Sequence, residues 1–252
     1  MLDGHLMKYR SLLASICVFA LIGAAQAAEI KVMSPVALKL VFERIGPEFE
    51  QSTGNKLVVS WGESGGIKAD IEKGTPFDIA ILTAAFVDDL IKQDKLDGSS
   101  TAPIARSGIG IAIRKGASKP DVSTTDAFKR TLLDAKSIGF VEHSASSRYL
   151  SRLLERLGIQ DALKDKLKPL SGPASKFVAT GDPEIAITQI AAIQPSEGVE
   201  LAGPLPPDVQ LYTEFVAAAS PNSAPAVSAL LKALTSSTAT SILKEAGLEP
   251  PV

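Results

Sequence analysis

Beyond residue 27 the chain alternates between two rhythms of apolar and polar positions. Short runs rich in apolar residues, at 30–33, 56–61, 77–82, 137–141, 184–190 and 211–218, read as strands. The continuously apolar stretch after Asp78 reads as a strand covered on both faces. Between these runs, apolar residues recur at three- and four-residue spacing, the pattern of helices with one buried face. The first helix is predicted over 36–52, with Leu38, Val41, Phe42, Ile45 and Phe49 on one side and Gly54 as its stop. Pro47 inside it predicts a kink or a split. Thr83 and Thr125 stand where hydroxyls would cap helices over 84–93 and 125–135. Further helices are expected at 148–157, ended by Gly158, at 161–166, from Ser171-Gly172-Pro173 to about 180, and at 224–234 and 238–246. The run 104–114 reads as one long extended segment, with Gly108 and Gly110 predicting a bend or bulge. A Pro/Gly-rich connector occupies 203–207.

Strands alternating with helices of this length predict an α/β fold built on parallel sheets. There are two sets of such units, with hinge-like segments near 106–108 and 201–207. Two lobes are therefore expected, 28–107 plus 208–252 and 108–207. Ligands of such folds bind beyond the carboxyl ends of strands, where loops meet helix starts. The stretch WGESGGIKADIEKGTPFDIAIL, residues 61–82, fits that placement: an extended run, a loop of small residues, a short helix, a turn and a buried strand. Unsatisfied amides and the positive dipole end at the start of that helix suit an anion. Gly65 and Gly66 let a ligand approach the backbone. Loops at Ser34, Ser64, Ser146 and Ser171-Gly172 share this kind of position, so four hydroxyl- or glycine-bearing loops are expected to meet in one cleft.

The first 27 residues change the compartment. Lys8 and Arg10 precede an apolar run over 12–25, and Ala25 and Ala27 form a small-residue cleavage site, so export and cleavage after Ala27 are expected. The run is too short to be a membrane span. The only cysteine, Cys17, lies within this segment. Ile16 before it removes the lipoprotein pattern, so the mature chain is expected to have no disulfide, thiolate metal site or cysteine nucleophile. Asp3, Lys8 and Arg10 leave with the segment, which takes the formal charge from -2 to -3. No basic stripe exists to bind nucleic acid or an anionic membrane. One remaining histidine argues against a transition metal, and no phosphate-loop or dinucleotide motif is present. No cofactor is expected.

These residues carry a resemblance. The segments IKVMSPVALKLVFERIGPEFE, VVSWGESGGIKADIEKGTPFDIAILTAA, ARSGIGIAIRKGASKPDVST, KSIGFVEHSASSRYLSRLLERLGI, VATGDPEIAITQI and GVELAGPLP follow one another with the order and spacing of the periplasmic molybdate-binding protein family. Those proteins are type II solute receptors of ABC importers, and the chain resembles them over nearly all of 29–249. EKGTPFDIAI is the most specific segment. The resemblance implies a two-lobed periplasmic binding protein type II fold, each lobe a central sheet flanked by helices. It implies a monomeric periplasmic receptor that closes on a small anion and delivers it to an inner-membrane ABC permease. In that family the oxyanion is held by serine hydroxyls, helix-start amides and one tyrosine hydroxyl. Carried over by position, these fall on Ser34 and Pro35, on Ser64, Gly65 and Gly66, on Ser146, and on Ser171 and Gly172. Thr83, Arg106, Ser107 and Arg148 border the same cleft.

Three positions depart from the family pattern. Gln189 stands where the tyrosine is expected, Glu63 where small hydroxyl residues are usual, and Pro35-Val36 in place of Ala-Ser. A carboxylate beside a bound dianion repels it, so the departures point to another anion, such as a small di- or tricarboxylate. One member type of the wider group is similar to aconitate isomerase. That alternative needs a base, for which Glu63 and His143 are the candidates. His143 also reads as a surface or loop histidine. Arg148 reads as a carboxylate clamp or as part of a surface pair holding its loop. Arg106 is placed to reach either the ligand or the opposite lobe, Lys176 reads as a solvated helix position, and Trp61 as a core or cleft-wall residue.

Overall fold

The computed structural model describes residues 28–252 except positions 143, 195, 224 and 225, and the side chain of Ala145. The N-terminal segment with its cleavage site, and His143, lie outside the described residues.

In chain order, β1 (Glu29–Pro35) leads through one 3-10 turn into α1 (Lys39–Thr53). β2 (Lys56–Gly62), α2 (Ser64–Glu72), β3 (Ile79–Thr83) and α3 (Ala84–Lys92) follow. The long β4 (Ala102–Arg114) precedes α4 (Thr125–Asp134), β5 (Ile138–Val141), α5 (Ala145–Arg156) and α6 (Gln160–Leu163). Then come β6 (Leu167–Leu170), α7 (Ala174–Val178), β7 (Ile185–Gln189) and β8 (Val199–Pro204). β9 (Tyr212–Ala219), α8 (Ala226–Leu234) and α9 (Ser237–Glu245) complete the described elements.

The strands lie in the order β2-β1-β3-β9-β4-β7-β5-β6, with β8 also paired to β4. β1 runs parallel to β2 and β3, and β5 runs parallel to β6 and β7. β4 joins these two parallel groups. Residues 102–108 pair antiparallel with β9, and residues 109–114 pair antiparallel with β7 and β8. Each lobe is thus a sheet flanked by helices. In the first lobe, α1, α8 and α9 cover one face over Ile30, Phe42, Ile79, Phe215, Leu230 and Leu243, and α2 and α3 cover the other over Met33, Ile67, Leu82 and Leu90. The second lobe has its own core around Ile111, Phe128, Ile138, Leu153 and Ile187, with Leu170, Val178 and Ala186 on the opposite face.

Several local expectations are corrected. α1 continues through Pro47 without a break, because Ile45 and Phe49 on either side are both buried in the core and hold the helical path. Thr124, not Thr125, caps α4: its Oγ1 accepts from the Ala127 amide at 3.1 Å, while the Thr125 hydroxyl is buried without a partner. Thr83 occupies the cap position of α3 without a side-chain cap bond. β6 and β8 are strands the apolar pattern does not announce. β6 is the edge strand beyond β5 and tolerates Pro169, which could not donate to a ladder on both sides. Ser64, Gly65 and Gly66 belong to the first turn of α2 and not to a preceding loop.

Candidate interlobe anion site

The pairing register brings the carboxyl ends of both parallel groups toward the middle of β4. In the first lobe, Ser34 lies opposite Trp61 and Pro35 opposite Gly62, while Thr83 lies opposite Phe215, which itself pairs with Ala105. In the second lobe, Gln189 at the end of β7 lies opposite Ile109, and β5 ends alongside it at Val141. The helix starts that follow β1, β2, β3, β5, β6 and β7 therefore flank the crossing residues 105–109 from two sides.

The start of α2, like those of α1, α3 and α7, has no side-chain cap bond, and its first-turn residues Gly65 and Gly66 are both exposed. Its cap residue, Glu63, has extended backbone (φ -85°, ψ 149°), and its side chain makes no cap bond, so its exposed carboxylate leaves the first-turn amides uncovered. Neither Gly65 nor Gly66 adopts a positive φ. A Cβ on Gly66 would meet nothing within 4 Å, and one on Gly65 only Phe86 at 4.0 Å. Packing does not demand glycine at either position, and the glycines leave the amides bare. Ser64 is 8% exposed, and its Oγ accepts from the Thr83 amide at 3.2 Å. That bond uses a lone pair, which leaves the hydroxyl proton to donate to an acceptor ligand. Ser34 is fully buried, with its hydroxyl 3.3 Å from the carbonyl of Pro35.

Across the crossing, α5 begins in a serine cluster. Ser144 Oγ caps the Ser147 amide at 3.0 Å, donates to the Val141 carbonyl at 2.8 Å, and lies 3.0 Å from the buried Ser146 hydroxyl. Ser144 was not among the sequence candidates, although a serine three residues before Ser147 at a strand-to-helix turn is a cap signal. Arg148 lies exposed on the first turn of α5, and Ser171 and Gly172 precede the short α7.

Other sequence candidates are committed elsewhere. Arg106 Nε and Nη2 both donate to Glu249 Oε2, at 3.0 and 2.7 Å, and the guanidinium lies 4.2 Å from the centroid of the Tyr212 ring. Their backbones also exchange two hydrogen bonds. Arg106 thus fastens the C-terminal tail to the crossing strand. Partial burial, and then the Glu249 charge, push the Tyr212 phenol above its ordinary value. Arg106→Ala is expected to lower stability by about 1 kcal/mol, as for a partly exposed ion pair, and to leave anion affinity within twofold, read by thermal melts and calorimetry.

Ser107 is buried, accepting from the Ala191 amide at 3.3 Å. Gln189 Nε2 donates to Thr213 Oγ1 at 2.8 Å, a bond from one lobe to the other. Gln210, unnoticed in the sequence, accepts from the Ile109 amide at 2.8 Å and donates to its carbonyl at 2.9 Å. Tyr149 on α5 donates to the carbonyl of Val209 at 2.8 Å, in the second connection between the lobes. Ser107, Gln189, Gln210 and Tyr149 hold the crossing together. Open first-turn amides remain at α2, where Gly65 and Gly66 are both exposed, and at α3, whose cap residue makes no side-chain bond.

A two-lobed α/β chain with helix starts gathered at a strand crossing has the fold of the type II periplasmic binding proteins. The chain belongs to the family of bacterial extracellular solute-binding proteins, whose model matches residues 30–249. Among its relatives, an aconitate isomerase from a Pseudomonas species is 29% identical over 239 residues, covering 91% of each chain. The molybdate-binding protein of Escherichia coli K12 is 24% identical over 205 residues, covering 78% of this chain and 80% of that one. Among solved structures, a substrate-binding domain ascribed to a molybdenum ABC transporter of Clostridium difficile superposes with a TM-score of 0.74 at 19% identity, covering 90% of this chain and all of the other.

Proposed function

We propose that this chain is the periplasmic receptor of an ABC importer and binds one small anion between its lobes. The ligand is a molybdate-like oxyanion or a small di- or tricarboxylate. Lobe one comprises 28–107 plus 208–252 and lobe two 108–207. The mature chain begins after Ala27 and acts as a monomer toward its permease. Closure around the anion is favoured because the two sets of helix starts contact it together only in the closed form. The observation that carries the reading is the uncapped start of α2, where bare amides and the proton of Ser64 await an acceptor. The test is a thermal-shift screen with molybdate, tungstate, sulfate, phosphate and small carboxylates. A ligand bound only by the native state raises the melting temperature, by roughly 2.7 kcal/mol of stabilisation at a hundredfold excess over Kd. No shift with any anion would overturn the reading.

A second reading is favoured by the relative named an aconitate isomerase and by Glu63, an exposed carboxylate at the rim of the same helix start. In this reading Glu63 removes a proton from the methylene carbon of an unsaturated tricarboxylate. The double bond shifts, and the proton returns at the former vinyl carbon, with no net redox change. Helix-start amides would stabilise the charge that develops on the adjoining carboxylate. Proton NMR of trans-aconitate in deuterated buffer would show isomerisation with solvent deuterium entering the product. Glu63→Gln is expected to slow it by about 10²–10⁴-fold. No turnover by the unmodified protein removes the reading.

A further inference from the structure

Six large apolar side chains are exposed among the described residues; two of them, Val36 and Trp61, stand at the carboxyl ends of β1 and β2, and two others at the crossing. Val36, 53% exposed, opens the 3-10 turn after β1, two residues beyond Ser34. Trp61, 38% exposed, lies opposite Ser34 in the sheet and directly before Gly62-Glu63-Ser64. Leu211 and Tyr212, 36% and 38% exposed, lie at the crossing, Tyr212 opposite Gly108. Trp61 is not a loose surface ring: it packs edge-to-face on buried Phe42 of α1, with centroids 5.7 Å apart and planes at 76°. That contact fixes the indole while leaving part of it uncovered.

A tetrahedral inorganic oxyanion is all acceptor surface and gains nothing from such a rim. An anion with a carbon skeleton has apolar atoms to bury. We infer that Trp61 and Val36 form an apolar wall beside the helix-start anion site and select organic carboxylates over inorganic oxyanions. The inference rests on the anion-receptor reading and narrows its ligand class. Carboxylate oxygens are held at the start of α2, and the hydrocarbon portion lies against the indole and Val36. Trp61 is the only tryptophan in the chain, so it also reports occupancy.

The test uses the mature full chain with citrate, trans-aconitate, succinate, molybdate and sulfate. Calorimetry of the unmodified protein is expected to give at least one carboxylate an affinity ten or more times that for either inorganic ion, and saturation with it to change indole fluorescence. Trp61→Ala, and separately the solvent-exposed Val36→Ser, are expected to weaken carboxylate binding about tenfold and about threefold, in line with the apolar area each withdraws. Molybdate and sulfate affinities are expected to stay unchanged. Trp61→Phe keeps a ring against Phe42 and is expected to fall between, which separates loss of the wall from loss of packing. Tighter binding of molybdate than of every carboxylate by the unmodified protein overturns the inference and leaves the anion receptor standing. An unchanged carboxylate-to-oxyanion ratio in both Trp61→Ala and Val36→Ser does the same. Failure of every anion to bind the unmodified protein overturns both.

Discussion

Gly110→Val is expected to destabilise the protein by about 3 kcal/mol, the upper range for overpacking a well-filled interior, and to lower its melting temperature by roughly 6–12 °C for a chain of this size. Gly110 lies in β4 between two partners, opposite Thr188 of β7 and Pro204 of β8. A Cβ there would come within 2.7 Å of Leu201 Cδ1, 2.9 Å of Ile190 Cγ1 and 3.0 Å of the Gly203 carbonyl. The two side chains can rotate away, but the carbonyl belongs to the strand that pairs with β4 and moves only if the ladder opens. Gly110→Ala places one atom in this space and is expected to cost less, and Gly110→Val adds two more with a restricted χ1. Circular dichroism melts of the three proteins check the order. Equal melting temperatures for the unmodified protein and the Gly110→Val variant would mean that β8 does not press on β4 as described. Because β4 is the strand on which both lobes hang, the variant is also expected to weaken anion binding in proportion to its loss of folded protein, and no further.

The same glycine shows how far the sequence could be read. Two glycines inside an apolar run signalled an irregular strand, and β4 has register shifts between Ile111 and Ala112 against β8 and between Pro103 and Ala105 against β9. The reason for Gly110, close approach of a third strand, was hidden because β8 itself was not legible. Its residues VELAGP mix polar and apolar positions and end in Gly-Pro, a pattern shared with connectors. The alternation of strands and helices, the continuously buried β3 and the stop at Gly54 (φ 72°) were all readable, since each depends on local chemistry. The second parallel group was half readable: β5 and β7 are apolar, whereas β6 is a four-residue edge strand containing proline.

For the candidate site, the strand-to-helix turns were legible and the bonds that commit their side chains were not. Loop order and spacing located the helix starts at Ser34, Ser64, Ser146 and Ser171. Which donors remain open depends on long-range partners that no local pattern reveals. Arg106 is taken by Glu249, 143 residues away, and Gln189 by Thr213. Ser107 accepts from an amide 84 residues distant. Three of the polar candidates thus belong to the structure of the crossing. The stretch 61–72 keeps its donors available, because its cap residue does not fold back on the helix and its two glycines cover nothing.

Ser64→Ala is accordingly expected to have the largest effect on binding, a loss of roughly 1–3 kcal/mol, or about five- to 150-fold in Kd, if the hydroxyl meets a charged acceptor in a site closed to water. Calorimetry with whichever anion stabilises the unmodified protein most would measure it. The substitution removes two bonds. One is the proposed donation to the ligand, and the other is the acceptance from Thr83, whose amide then loses its side-chain partner. The second loss acts on the free protein and predicts a melting temperature lowered by roughly 2–4 °C for about 1 kcal/mol, with or without anion. Comparing the two quantities separates the roles. A large fall in affinity with a small fall in stability places the hydroxyl on the ligand. A fall in stability alone makes Ser64 a tie between α2 and β3, and shifts binding to the amides of Gly65 and Gly66. Glu63→Gln supplies the opposite sign. Removing a carboxylate from the rim is expected to tighten a dianion and to weaken the salt dependence of its binding, since the repulsion removed is a screened surface interaction. Combining it with Ser64→Ala should give additive changes if the carboxylate acts through the field alone, and non-additive ones if Glu63 and Ser64 touch the same atom of the ligand. A Glu63→Gln protein that instead binds its anion more weakly would place the Glu63 carboxylate in direct contact with a proton or hydroxyl on the ligand. Among the anions screened that requires a proton-bearing one, a hydroxyl-bearing or protonated carboxylic acid or hydrogen phosphate, and excludes molybdate and sulfate.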